Sequence, residues 1–227
     1  CRRRAAGPAA VSAPAHLTPL LRLVVILDAA AAQGRDLAHL ARAAAAGGAT
    51  MLQVRGKELA AGELAHLTRR VLEAAPGIPV TVNDRLDVAL AAGAAGCHLG
   101  QDDFPIAEAQ AVAPPGFILG GSAGSVEEAR RCMAAGAHYV GIGPVHATGN
   151  KADAGDAIGA EGFARIHRAA PGLPAVGIGG VSADDVPALL AAGAVGVAVI
   201  GAVLGADDPQ EATRELRAAV EEGRFLP

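Results

Sequence analysis

The 227-residue chain has no tryptophan, one tyrosine and four phenylalanines. A core built on aromatic packing is therefore excluded, and an aliphatic one is expected. The three cysteines, Cys1, Cys97 and Cys132, are an odd number without metal-ligand spacing. That argues against a disulfide framework and for a reducing compartment, the cytoplasm. Basic residues form no stripe beyond Arg2-Arg3-Arg4, and the net charge is −4. Nucleic acid is not an expected partner. Long hydrophobic runs are missing too. The stretch Leu23–Leu27 is far short of the ~20 residues that cross a bilayer, so no membrane partner is expected. Pro8, Pro14 and Pro19 interrupt the Ala-rich start, which lacks the apolar stretch of a signal peptide. Residues 1–19 read as a disordered leader and residues 20–227 as one catalytic domain; a homo-oligomer is left open.

What the chain has in excess is alanine, 56 residues of 227. Much of it precedes a recurring phrase: Gly48-Ala-Thr-Met-Leu-Gln-Val, Gly93-Ala-Ala-Gly-Cys-His-Leu, Gly136-Ala-His-Tyr-Val-Gly-Ile and Gly193-Ala-Val-Gly-Val-Ala-Val. Each reads as a helix stopped by a glycine and followed by a short apolar strand. Each interval between phrases holds one more strand candidate: Pro79–Asn83, Phe117–Gly120 and Pro174–Ile178. With Leu23–Leu27 at the front the strands number eight. Helical patterns alternate with them, several with start signals such as Ser125-Val-Glu-Glu and Ser182-Ala-Asp-Asp. Each strand is a short apolar run of the kind buried on both faces, which predicts a single α/β domain, a (β/α)8 TIM barrel. A doubly wound open sheet is the competing architecture; the regular eightfold count favours closure.

In such a barrel, chemistry sits at the carboxyl ends of the strands. Gln53, Arg55 and Lys57 alternate after strand 2, so an extended chain aims all three at one face. Two cations there suit a phosphate-rich ligand, although a solvated loop would look the same. Asp84 and Asp103 follow neighbouring strands and can converge on Mg²⁺. Taken singly, Asp84, Asp102 or Asp103 could merely cap a helix. Gly179-Gly180 and Gly201-Ala202 follow strands 7 and 8, where backbone N–H groups often hold phosphate; a tight turn is the simpler alternative. His98, internal to a strand, reads as a barrel residue rather than a ligand. Ser125 reads as a helix cap, and Cys97 and Cys132 as small buried hydrophobes.

Gln-Val-Arg-Gly-Lys (53–57), Asn-Asp-Arg (83–85), Cys-His-Leu-Gly-Gln-Asp-Asp (97–103), Gly-Ile-Gly-Pro (141–144), Thr148 with Lys151, and Gly-Ile-Gly-Gly (177–180) together resemble the thiamine-phosphate synthase family. The resemblance runs in order over roughly residues 20–222. It implies a transferase barrel that joins a hydroxymethylpyrimidine diphosphate to a hydroxyethylthiazole phosphate and releases pyrophosphate. By position, Gln53, Arg55, Lys57, Asn83, Ser122 and Lys151 would contact the pyrimidine diphosphate, and Asp84 and Asp103 would bind Mg²⁺. Of these, Arg55, Lys57, Ser122 and Lys151 would be catalytic. Thr148, Gly149, Asn150, Gly180, Ile200 and Gly201 would hold the thiazole phosphate. The implied mechanism is dissociative and needs no protein nucleophile.

The chain departs from the family pattern on the thiazole side. Asn150 stands where a second Thr is usual, Ala147 for Pro, His146 for an aromatic, Gly201 for Ser and Gly124 for His. The related thiazole tautomerase, which would use a His at position 124, is the alternative enzyme. Another phosphate-handling barrel and a non-catalytic thiazole- or thiamine-phosphate binder complete the set of readings.

Overall fold

The computed structural model of the chain describes residues 17–149 and 155–224. Eight parallel strands close into a barrel in chain order: β1 Leu23–Asp28, β2 Met51–Arg55, β3 Val80–Asn83, β4 Gly96–Leu99, β5 Ile118–Ala123, β6 Tyr139–Ile142, β7 Ala175–Ile178 and β8 Gly196–Val199. Pairing of β1 with β8, Leu23 opposite Val197, completes the ring, so the open-sheet alternative is overturned. The helices are α1 Leu17–Leu20, α2 Leu37–Gly47, α3 Ala61–Ala74, α4 Leu86–Ala92, α5 Ile106–Val112, α6 Val126–Ala134, α7 Gly159–His167, α8 Val186–Ala191, α9 Gly201–Leu204 and α10 Pro209–Gly223.

The repeated glycine phrase has a common geometry. Gly48, Gly93, Gly136 and Gly193 have φ of 101°, 75°, 84° and 99°, a left-handed region that residues with a Cβ avoid. Each reverses the chain at a helix end and feeds it into β2, β4, β6 or β8. The start signals are also used. Asp36 accepts from the Ala38 N–H at α2, Ser125 from the Glu128 N–H at α6, and Asp208 from the Gln210 and Glu211 N–H groups at α10.

Alternation along each strand sorts the core into two layers. Leu23, Val25 and Leu27 of β1 face the surrounding helices, as do Leu52 and Val54 of β2. Val24, Ile26 and Met51 point inward and pack with Ile118, Tyr139, Val176 and Ala198. Burying each such aliphatic side chain contributes about 1.5–3 kcal/mol. The shells together dominate the stability.

Leu17 and Leu21, four residues apart, close the barrel floor against this inner layer. The leader expected over residues 1–19 therefore ends in structure: its last three residues lie in α1, where Leu17 is buried. Pro19 is tolerated there because the first turn of a helix leaves its N–H groups unpaired anyway. Residues 1–16 of that leader lie outside the described residues. Among the described residues, no helix is long and apolar enough to cross a membrane.

Candidate active site

Above the apolar floor the inward positions become polar toward the carboxyl ends of the strands. Because Met51 faces inward, so do Gln53 and Arg55, two and four residues on. Gln53 is buried and hydrogen-bonds the Tyr139 phenol. Arg55 reaches the rim, where its guanidinium forms an ion pair with Asp28. Asp28 ends β1 directly opposite Arg55 in the strand register, and its other oxygen accepts from the Ala31 N–H at 2.8 Å. Sequence reading missed Asp28. Its only signal was an acidic residue closing an otherwise apolar run. Lys57 lies in the exposed turn beyond β2.

Lys57, Glu58, Asn83, Asp84 and Arg85 line a cleft of about 320 Å³ at this side of the mouth. Asp84 has a φ of 65°, the left-handed backbone that turns its carboxylate at the end of β3 toward β4. There it hydrogen-bonds Asp103. Burial first, then the bond to Asp103 and that residue's charge, push the Asp84 carboxyl up to about 6. Lys57 and Arg55 pull in the opposite direction. Two carboxylates and two cations expected to share a ligand therefore share one electrostatic neighbourhood.

The capping alternatives do not hold. Helix α4 is entered through Arg85 and α5 through Pro105, neither with a side-chain cap bond. Asp103 instead accepts from the Gly100 N–H at 2.6 Å within its own loop. Arg85 turns away to a two-pronged pair with Asp87.

The Asp84–Asp103 pair fits Mg²⁺. Both donors are hard carboxylate oxygens, and they are close enough that one carboxyl resists ionising beside the other. A divalent cation would favour the ionised Asp84 carboxylate, with water and phosphate oxygens able to serve as further ligands. Among the described residues no group of three or more His, Cys, Asp or Glu gathers as a metal site.

A second polar cluster stands across β4, β5 and β6. His98, Gly120 and Tyr139 are neighbours in the strand register. The His98 Nδ1 lies 3.0 Å from the Tyr139 hydroxyl and its Nε2 3.0 Å from Ser122 Oγ. His98 is thus a barrel-interior residue, as its strand position indicated, but it also ties Ser122 to the interior. Ser122 is held from outside as well. Its carbonyl accepts from Gln101 Nε2 at 2.6 Å and from the Cys132 thiol at 3.4 Å. Cys97 and Cys132 are buried free thiols whose ionisation burial opposes. Tyr139 is fully enclosed beneath the site, so its ring offers no exposed stacking face.

The third cluster lies on the loops after β6, β7 and β8. Gly179 and Gly180 adopt φ of 91° and 66°, a left-handed turn that glycine takes without steric cost. A Cβ on Gly180 would stand 2.8 Å from the His146 Cβ, so the β6 and β7 loops are in direct contact. Thr148 and Gly149 lie on the first of these loops, and Ile200 leads into α9, which begins at Gly201. Asn150 and Lys151 lie outside the described residues. At Gly124 the N–H donates to Glu128 Oε2 at 2.6 Å, and no imidazole side chain exists at this position.

The match to known proteins is extensive. Residues 23–203 match the family model described as thiamine monophosphate synthase. A thiamine-phosphate synthase of Moorella thermoacetica is 47% identical over 208 residues, 91% of this chain and 99% of that protein. One from Methanoculleus marisnigri is 49% identical over 208 residues, covering 89% and 98%. Among solved structures, a thiamine phosphate pyrophosphorylase from Pyrococcus furiosus superposes with a TM-score of 0.82 at 38% identity, covering 91% of this chain and 98% of that one. This chain belongs to the thiamine monophosphate synthase family.

Proposed function

We propose that the barrel joins a hydroxymethylpyrimidine diphosphate to a hydroxyethylthiazole phosphate, giving thiamine phosphate and pyrophosphate, by a dissociative, Mg²⁺-dependent route. The observation that carries this reading is the grouping of Asp84 and Asp103 with Arg55 and Lys57 beside one cleft. That grouping suits a diphosphate donor. The glycine turn after β7 and the helix start after β8 suit a monophosphate acceptor that needs no metal.

Arg55 and Lys57 would bind the diphosphate and stabilise the charge that grows as it leaves, with Lys151 assigned the same task. Bound between Asp84 and Asp103, Mg²⁺ would neutralise part of the diphosphate charge and improve it as a leaving group. Ser122, steadied by His98, would hydrogen-bond the donor, with Gln53 and Asn83 orienting the pyrimidine. The bond between the pyrimidine methylene carbon and the diphosphate oxygen breaks, and its electron pair leaves with pyrophosphate. The thiazole nitrogen then gives its lone pair to the resulting carbocation. Thr148, Gly149, Asn150, Gly180, Ile200 and Gly201 would hold the thiazole phosphate so that this nitrogen faces the cation.

No protein nucleophile is needed, consistent with thiols that burial keeps protonated. Residues 20–227 would act as one catalytic domain, and the buried free thiols Cys97 and Cys132 suit a cytoplasmic location.

The test is to mix the protein with both phosphorylated halves and Mg²⁺ and follow thiamine phosphate and pyrophosphate in equal amounts. Absence of both products at saturating substrate would overturn the reading. Undiminished turnover in excess chelator would remove the metal from it.

A further inference from the structure

We propose that the hydrogen bond between His146 and Asp185 is a clasp that positions the loop after β6 for the acceptor phosphate. His146 and Asp185 are then positioning residues for acceptor affinity, a role that rests on the assignment of Thr148, Gly149 and Gly180 to the thiazole phosphate.

The loop between β6 and α7 is stitched at its base. Its outgoing leg is tied to the end of β7 and the turn after it, with Val145 N donating to Ile178 O and His146 N to Gly179 O, each at 2.9 Å. Its returning leg closes on the first through Ile158 N to Pro144 O at 2.9 Å and Gly159 N to Val145 O at 3.0 Å. Among the described residues, His146 makes the outgoing leg's backbone bond nearest the loop tip. Thr148 and Gly149 lie two and three residues beyond it, at most about 7 and 11 Å of extended chain away. Their positions therefore depend in part on how firmly His146 is held.

The His146 side chain provides that hold. Its Nε2 lies 2.7 Å from Asp185 Oδ1, on the 3₁₀ turn Ala183–Asp185 that follows the Gly179-Gly180 bend. Asp185 is itself fixed. Its Oδ2 accepts from both the backbone N–H and the hydroxyl of Ser182, each at 2.8 Å. Partial burial opposes its ionisation, but these bonds and the His146 ring outweigh that and hold the carboxyl below the usual range. The clasp thus joins the two loops that would flank the acceptor phosphate. Each is anchored by backbone on its own side. Without it, the segment carrying Thr148 and Gly149 would be less firmly placed before the ligand binds, and affinity would fall by the cost of placing it.

Steady-state kinetics with the two substrates varied separately test this. His146→Ala should raise KM for the thiazole phosphate about three- to fivefold, the reach of a partly exposed pair. KM for the pyrimidine diphosphate and kcat should stay within about twofold. His146→Gln, whose amide nitrogen can reach the same carboxylate oxygen, should recover most of the loss. Asp185→Ala should shift the same constant, and the double variant should be no worse than the worse single one. Equal rises in both KM values, a fall in kcat alone, or additive single effects would overturn the clasp. Thr148→Ala separates the underlying reading. If it leaves the acceptor KM unchanged, the assignment of Thr148 fails; if it raises that KM while His146→Ala does not, only the clasp fails.

Discussion

His98 and Ser122 face each other across adjacent strands, with Nε2 of the first 3.0 Å from Oγ of the second. The contact passes over Gly120, whose missing side chain leaves room for the His98 and Tyr139 rings. A Cβ there would stand 2.4 Å from the Tyr139 ring and 2.6 Å from His98 Nδ1.

Gly120→Ala should accordingly destabilise the barrel by about 1–3 kcal/mol, although alanine is the less flexible residue in a strand. Urea unfolding measures this. An unchanged midpoint would show that the two rings move aside without cost. The same variant should lower activity by displacing Ser122 through His98.

Ser122→Ala removes the hydroxyl proposed to contact the donor and leaves the His98 Nε2 without that partner. Stability should fall by only about 1 kcal/mol, while kcat/KM falls by about tenfold or more, the loss expected for one hydrogen bond to a charged group. Comparing melting temperature with kcat/KM separates the two. A large stability loss with intact turnover would make Ser122 a structural residue only.

Asp84 gives a pH prediction with a definite sign. Its carboxyl is raised from 3.8 to about 6, so between these values the folded state binds more protons than the unfolded one. Its contribution is complete below about pH 4 and is lost as pH rises through 6. Without metal, the stability curve should therefore fall across this window more than that of Asp84→Asn, which lacks the titration. Mg²⁺ needs the ionised pair, so its stabilising effect should weaken below about pH 6 and vanish in Asp84→Asn and Asp103→Asn. Thermal melts at several pH values, with Mg²⁺ or chelator, give both curves. Superimposable wild-type and variant curves would refute the coupling. Activity in both variants should drop by about a hundredfold or more if the carboxylates hold the metal.

Asp28 and Arg55 form a pair that is mostly enclosed, with side-chain exposures of 4% and 12%. Removing one partner leaves a charge without compensation, at a cost of about 3 kcal/mol. Asp28→Ala should thus destabilise more than Asp28→Ala with Arg55→Met, and it should also raise KM for the diphosphate substrate as the guanidinium loses its orientation. Chemical denaturation of the single and double variants decides the first point. Additive losses would show that the pair is not coupled.

Much of this architecture was legible from the chain because local physics dictates it. Glycines after alanine-rich helices, capping residues such as Ser125, and short, mainly apolar strands specify eight β/α units without long-range information. The motif residues Arg55, Lys57, Asp84 and Asp103 were legible too, since they follow strands whose carboxyl ends must share one rim. Tertiary structure alone decided which groups meet. Asp28 looked like the end of an apolar run until barrel closure set it opposite Arg55. Tyr139 looked like a strand start until the register placed it beneath His98. His146 and Asp185 are 39 residues apart, and only the packing of one loop on the next brings them together. The scarcity of aromatics proved sharper in the folded chain than in the sequence. The single tyrosine is enclosed below the site, so its ring is not available for stacking. Periodicity and caps act over a few residues and can be read from neighbours. Pairings across strands depend on register and closure, which no local stretch of sequence contains.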